Sequence, residues 1–173
     1  RSGNCLSMAI MTAAMAKELG LRVEYRRVDV EQTWSRVGQT YFYSGHVDVT
    51  LHDKASSVRF NVDRTMTIEF IPLADLRHYS TEVIDESTIV AMYMNNRAAE
   101  SLAAGKLDNA YWWARAAIRQ DATFVNSYNT LGVIYKMHGN LPQAETAFKH
   151  ALERQSKDVI VMSNLVPVLS ALG

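Results

Sequence analysis

The sequence predicts an α+β domain at about residues 1–80, followed by an all-α array of helical repeats at about 85–173. The first part contains one long apolar stretch of helix formers and then stretches that alternate apolar and polar residues. Beyond Asp85 the apolar period becomes helical, and the pattern recurs when Gly105 is aligned with Gly139, a displacement that we call the repeat shift. This change of period along the chain predicts two domains of different class.

Composition is that of a globular protein, with 48% hydrophobic and 21% charged residues in a chain of 173. The formal net charge is zero, and no predicted element concentrates Lys or Arg. Proteins that bind nucleic acid need such a basic footprint, so nucleic acid is excluded as the expected partner. No apolar run reaches the roughly 20 residues that span a bilayer, so we expect no membrane span.

The chain starts with Arg1-Ser2-Gly3, which is neither an initiator Met nor a signal peptide, so we expect it to belong to a longer or processed chain. It contains one cysteine, Cys5. A single cysteine cannot form an internal disulfide, and the compartment therefore stays undetermined. A lone thiol is instead a candidate nucleophile.

Residues Asn4 to Leu19 predict a buried central helix, because they are apolar nearly all round and rich in helix formers. Ser2 or Asn4 could cap its start, and Gly20 marks its end.

Three strands are predicted after this helix. The segment LRVEYRRVDV alternates apolar and polar residues, turn residues follow between Glu31 and Thr40, and the same alternation returns at 41–51 and 58–63. Joining the last two segments as a hairpin places Val49 opposite Phe60 and the other apolar residues opposite one another. The same register places His46 directly opposite Asp63.

Cys5, His46 and Asp63 together have the residue types of a cysteine triad. The first turn of a helix favours an anion, here the Cys5 thiolate. An imidazole such as His46 accepts the thiol proton, and a carboxylate such as Asp63 orients the imidazole. A metal site formed by Cys5, His46 and Asp63 or Asp48 is the alternative, although typical paired ligand spacings are missing.

The segments GNCLSMAIMTAAMAKELGLRVEYRRV, GHVDVTL and FNVDRT resemble the transglutaminase-like cysteine domain in their order of Cys, His and Asp. The resemblance implies a papain-like core, with a central helix against an antiparallel sheet. It also implies attack by Cys5 on a carboxamide or peptide carbonyl, a thioester intermediate, and an oxyanion donor in the Cys5 N–H. No cofactor and no metal are required by this chemistry.

The C-terminal half contains the repeat. Gly105, Gly139 and Gly173 align under the repeat shift, and the copy YNTLGVIYKMHGNLPQAETAFKHAL closely resembles the tetratricopeptide (TPR) repeat. The first copy is degenerate and the third ends after one helix. We therefore expect five helices, the last of which acts as a cap.

Asn95 and Asn129 are equivalent by the same shift and fall on the first helices of their repeats. The resemblance implies that these helices line a concave groove, so both asparagines are candidate peptide-binding residues. Trp112 and Trp113 lie on a second helix, where we expect one to pack into the repeat core or against the cysteine domain.

The sequence supports two functional hypotheses. In the first, the chain is a cysteine peptidase, amidase or acyl transferase, and its repeats recruit a protein or peptide substrate or a partner. In the alternative, the cysteine domain is inactive, and it serves with the repeats as a protein–protein interaction scaffold.

Overall fold

The computed structural model describes residues 5–37, 40–52, 65–70 and 80–173, and for 29–37 and 40–45 it describes the backbone. The described chain begins with one helix and four strands: α1 (Cys5–Glu18), β1 (Arg22–Val37), β2 (Thr40–His52), β3 (Thr65–Ile68) and β4 (Ser80–Ile84). It continues with helices α2 (Glu86–Ala103), α3 (Leu107–Gln120), α4 (Asn126–Met137), α5 (Leu141–Arg154) and α6 (Val159–Leu172). The mixed α+β class with a helical C-terminal region is confirmed.

The chain forms two compact units, one of residues 1–33 with 45–89 and one of residues 34–44 with 90–173. The domain boundaries predicted from sequence, 1–80 and 85–173, stay a prediction. In the described ranges, no helix is both long and apolar enough to cross a membrane.

Helix α1 confirms the predicted helix, but the helix is buried on one side only, since Met11 is 58% exposed and Met15 63%. Its end is fixed by Gly20, which adopts φ +76 and donates its N–H to the Lys17 carbonyl, while the Leu21 N–H donates to the Ala16 carbonyl. This pair of bonds satisfies carbonyls that the helix leaves open, and glycine adopts the positive φ without strain. The buried residues of α1 are mostly small: Leu6, Ala9, Ala13 and Ala16.

The described strands form one sheet in the order β3-β2-β1-β4. β1 pairs with β4 in antiparallel fashion, with Val28 opposite Thr81, and β2 pairs with β3, with Val49 opposite Ile68. Both β3 and β4 are short and largely exposed, so their apolar alternation is too weak to predict them from sequence. β1 also runs to Val37, through part of the segment predicted as a turn.

The predicted register of β2 is wrong. Sequence placed Val49 opposite Phe60, whereas Val49 pairs with Ile68 and the other edge of β2 adjoins β1. The apolar alternation misled because residues 47–50 of β2 are buried on both faces, including Asp48 and Thr50. The segment 58–63 lies outside the described residues.

All five helices predicted for the repeat region are confirmed. Gly105 and Gly139 follow α2 and α4 with φ +70 and +84, so the recurring glycines end the first helix of each pair. The start of α6 is capped by Asp158, whose carboxylate accepts from the N–H groups of Ile160 and Val161.

The helical unit has one continuous core. α3 packs on α4, α4 on α5, and α5 on α6. Small residues on the second helices allow close approach, because alanines are buried at 110, 114 and 117 in α3 and at 144, 147 and 151 in α5. Phe148 of α5 is fully buried against Gly132 of α4. The result is a TPR-type array of alternating helices.

Candidate functional site

A row of asparagines recurs on the first helices of the repeats. Asn95 lies on α2, Asn129 on α4 and Asn164 on α6. The repeat shift relates Asn95 to Asn129 directly, and Asn164 lies next to the position that the same shift gives on α6. We call these three residues the asparagine row. The Asn164 side-chain amide donates to Oδ1 of Asn129 at 3.0 Å, which joins α6 to α4.

The row is more buried than a groove surface would be. Asn95 is 8% exposed, Asn129 5% and Asn164 fully buried. Oδ1 of Asn95 has no hydrogen-bond partner among the described residues. A buried amide oxygen without a partner costs about 1–3 kcal/mol, so such groups are uncommon unless another molecule or a water serves them.

One positive charge lies on the same face of α4 as Asn129. Lys136 follows two turns later and is half-buried. Burial lowers the pKa of the Lys136 ammonium, and no carboxylate of the described chain offsets that cost. This ammonium can therefore form an ion pair with an anionic group of a ligand.

The two tryptophans differ in their surroundings. Trp113 packs against the helical core and makes an edge contact with Tyr93, with ring centroids 6.5 Å apart. Trp112 is exposed and lies beneath the guanidinium of Arg115. The expectation that one tryptophan packs into the core is confirmed.

A cleft of about 260 Å³ opens beside α3 and α4. Its volume is slightly below that of pockets for drug-sized ligands. Burial raises the pKa of Tyr135 in this cleft, and so does the hydrogen bond that its hydroxyl makes with Tyr111. The lining residues are Leu107, Asp108, Tyr111, Ile134, Tyr135, His138 and Asn140.

Polar residues occupy one face of β2 in the N-terminal unit. Burial lowers the pKa of His46. Burial is the main cause that raises the pKa of the Asp48 carboxyl, and the nearby Glu69 carboxylate raises it further. A hydrogen bond from the Phe70 N–H acts in the opposite direction and lowers this pKa. Thr50 shares a hydrogen bond of 3.0 Å with Thr67 of β3. In the sequence Asp48 is only an alternative metal ligand, and its burial is not evident from the pattern.

The grouping of Cys5, His46 and Asp63 stays a prediction, because one of the three lies outside the described residues. Cys5 is half-buried at the start of α1, and His46 lies on β2. Asp63 lies outside the described residues. Over the ranges that the structure covers, no three His, Cys, Asp or Glu side chains are placed to hold a metal ion.

Comparisons with known proteins identify no family by sequence. No family model matches the chain, and no curated protein matches it significantly. Similar solved structures include the first TPR domain of Spaghetti (RPAP3) bound to an HSP90 peptide, at 18% identity and a TM-score of 0.46. Another is the TPR domain of Sgt2 from Aspergillus fumigatus, at 20% identity and a TM-score of 0.45.

Each similarity covers 47% of this chain, which spans 65% of the first structure and 56% of the second. Both are repeat domains, and the comparisons yield no transglutaminase-like domain. The transglutaminase-like identification is therefore wrong, and so is the cysteine hydrolase or acyl transferase function that depended on it. The β2 register that brought His46 opposite Asp63 was a separate error, made from the apolar alternation before any resemblance was considered.

Proposed function

We propose that this chain is a protein-interaction module whose helical repeats bind an extended segment of a partner protein. The observation that carries the proposal is Asn95 on α2, the most exposed member of the asparagine row, whose Oδ1 has no partner among the described residues. Its side-chain amide has a donor group and an acceptor, as a peptide backbone has at each residue, so an extended chain can pair with it.

The asparagine row is only partly engaged within the protein. Asn129 and Asn164 satisfy one another, whereas Oδ1 of Asn95 has no partner in the described chain. A backbone N–H of a bound peptide would remove the cost of this open acceptor. Asn95 is therefore the member of the row at which a bound ligand would relieve the largest energetic cost.

Lys136 supports an acidic residue in the bound segment. Its ammonium is half-buried without a compensating carboxylate in the described structure, so an Asp or Glu of the peptide would meet a partly desolvated cation. Charge-assisted contacts of this kind contribute more than bonds between neutral groups. We therefore propose a peptide that combines an extended backbone with at least one carboxylate.

The test is a screen of displayed random peptides of about 12 residues against the chain, followed by fluorescence anisotropy on the selected peptides. We expect acidic residues to be enriched. We also expect Asn95→Ala and Lys136→Gln each to weaken binding by about tenfold or more. Asn109→Ala is the matched control, because Asn109 is exposed on α3, a second helix.

Two results would refute this function. One is the absence of any selected peptide that binds the folded chain in solution. The other is selected peptides whose affinity is the same for Asn95→Ala, Lys136→Gln and the control. Circular dichroism of each variant establishes that the folded chain is being compared.

A further inference from the structure

The cleft beside α3 and α4 contains a corner formed by two aromatic rings. Tyr111 of α3 and Tyr135 of α4 both line it, with ring centroids 6.0 Å apart and ring planes inclined by 58°. A hydrogen bond joins the two hydroxyls, so each phenol already has a polar partner within the protein. Leu107 and Ile134 belong to the same lining. The cleft therefore offers two aromatic π surfaces beside aliphatic side chains.

The formal charge of the lining is negative. Asp108 is exposed and lies one turn before Tyr111 on the same face of α3. Among the described residues that line the cleft, it is the one that is charged at pH 7, where His138 counts as neutral. The Asp108 carboxylate forms no ion pair within the described part of the chain. A positive group in the cleft would therefore meet an uncompensated carboxylate.

A neighbouring cation shows how the aromatic rings of α3 interact with positive charge. The guanidinium carbon of Arg115 lies 5.5 Å from the ring centroid of Tyr111 and 5.2 Å from that of Trp112. Ring faces attract cations through the aromatic quadrupole. Arg115 does not line the cleft, and it follows Asp108 by two turns on one face of α3. A second cation is therefore attracted to the Asp108 end of this face, where the cleft lies.

We infer that the cleft binds a small alkylated ammonium cation, held by the rings of Tyr111 and Tyr135 and by the carboxylate of Asp108. A primary ammonium is strongly hydrated and needs an acceptor for each of its donors. An alkylated ammonium has weaker hydration, and ring faces with one carboxylate recognise it. The volume of about 260 Å³ suits a small ligand. This site goes beyond the proposed peptide site, because none of its residues belongs to the asparagine row.

Choline and its uncharged carbon analogue, in which carbon replaces the nitrogen, are matched probes of equal shape. Titration of the whole chain, followed by amide NMR spectra, gives the affinity and the residues that respond. We expect choline to bind saturably and the analogue to bind at least about fivefold more weakly. The largest shift changes should occur around Tyr111, Tyr135 and His138, which line the cleft.

An alkylated ammonium can come from a free small molecule or from a methylated lysine of a protein. A short peptide with one trimethyllysine is therefore the third probe. Tighter binding of choline than of this peptide identifies a free small molecule as the source, and tighter binding of the peptide identifies a protein.

Variants test the carboxylate and the ring separately. Asp108→Asn should weaken choline binding at least about fivefold, whereas Glu153→Gln, which removes an exposed carboxylate of α5, should not. Tyr135→Leu should weaken it by about tenfold, whereas Tyr135→Phe should retain it, because the ring stays in place. Asn95→Ala should leave choline binding unchanged, which keeps this test separate from that of the peptide site.

The proposal fails if choline does not bind saturably, or if choline and its uncharged analogue bind equally well, since the cleft would then recognise shape alone. Equal losses in Asp108→Asn and Glu153→Gln would reveal only a general effect of net charge. Equal losses in Tyr135→Phe and Tyr135→Leu would assign the binding to the hydroxyl and overturn the role of the ring. Circular dichroism of each variant establishes that folded chains are compared.

Discussion

A Cβ atom on Gly132 of α4 would lie 2.6 Å from Cε1 of Phe148 on α5. Real Cβ atoms do not approach other carbon atoms so closely, so the two helices pack at a distance that only glycine permits. The glycine that the sequence marks as part of the repeat is thus required by packing rather than by backbone conformation.

Gly132→Ala should lower the free energy of unfolding of the helical unit by up to about 2 kcal/mol. The exchange gains about 1 kcal/mol of helix propensity, but overpacking against Phe148 costs more, about 1–3 kcal/mol. Urea unfolding measures the difference. In a Phe148→Leu background the clash is relieved, so Gly132→Ala should there be neutral or stabilising. The same loss in both backgrounds would show that Phe148 is not the cause.

Asn164→Ala should cost about 1–3 kcal/mol, because it leaves Oδ1 of Asn129 buried without the donor that now lies 3.0 Å away. The double variant with Asn129→Ala and Asn164→Ala should lose less free energy of unfolding than the sum of the losses in the two single variants. A double-mutant cycle with Asn129→Ala, measured by urea unfolding, gives the coupling, which we expect to be about 1 kcal/mol. Strictly additive single changes would mean that the bond contributes nothing to stability.

Asp158→Ala should lower the stability of α6 by about 1 kcal/mol, since the carboxylate accepts from two N–H groups at 2.9 and 3.0 Å. Asp158→Asn should lower the stability less, because the amide oxygen of asparagine can still accept hydrogen bonds from these N–H groups. Thermal unfolding of both variants tests this, with Lys157→Ala, exposed and next in sequence, as the control. An unchanged melting temperature in Asp158→Ala would contradict the cap.

Lys136→Met should stabilise the protein at pH 7, and the gain should shrink at high pH. Burial lowers the pKa of Lys136 below 10.5, so the unfolded chain binds its proton more tightly than the folded one. The stability of the natural chain therefore rises as pH increases through the folded-state pKa toward 10.5. Melting temperatures of the two chains from pH 7 to about 10.5 test the sign, with exposed Lys157→Met as control.

Regular patterns in the sequence predicted most of the helices. The helix at Cys5–Glu18 and the five helices after Asp85 follow from helix formers, glycine stops and the repeat shift, all of which can be read along the chain without a fold. The short strands β3 and β4 were missed, because four or five mostly exposed residues carry little apolar periodicity.

The candidate site was predicted only in part. The repeat shift identified Asn95 and Asn129, but it did not reveal that Asn164 joins Asn129 or that the row is buried. Asn164 is displaced by one residue from the exact repeat, so a fixed shift does not find it. Whether the row binds a peptide stays a prediction.

The sequence by itself therefore determined the helical repeat architecture, since helix periodicity, caps and small residues are set by neighbours along the chain. Only the tertiary structure decided the sheet register, the pairing of Asn129 with Asn164 and the burial of the asparagine row. Each of these joins residues distant in sequence. A strand buried on both faces has no polar side to fix its register, and a helix shows which face is uncovered only when its neighbours are in place.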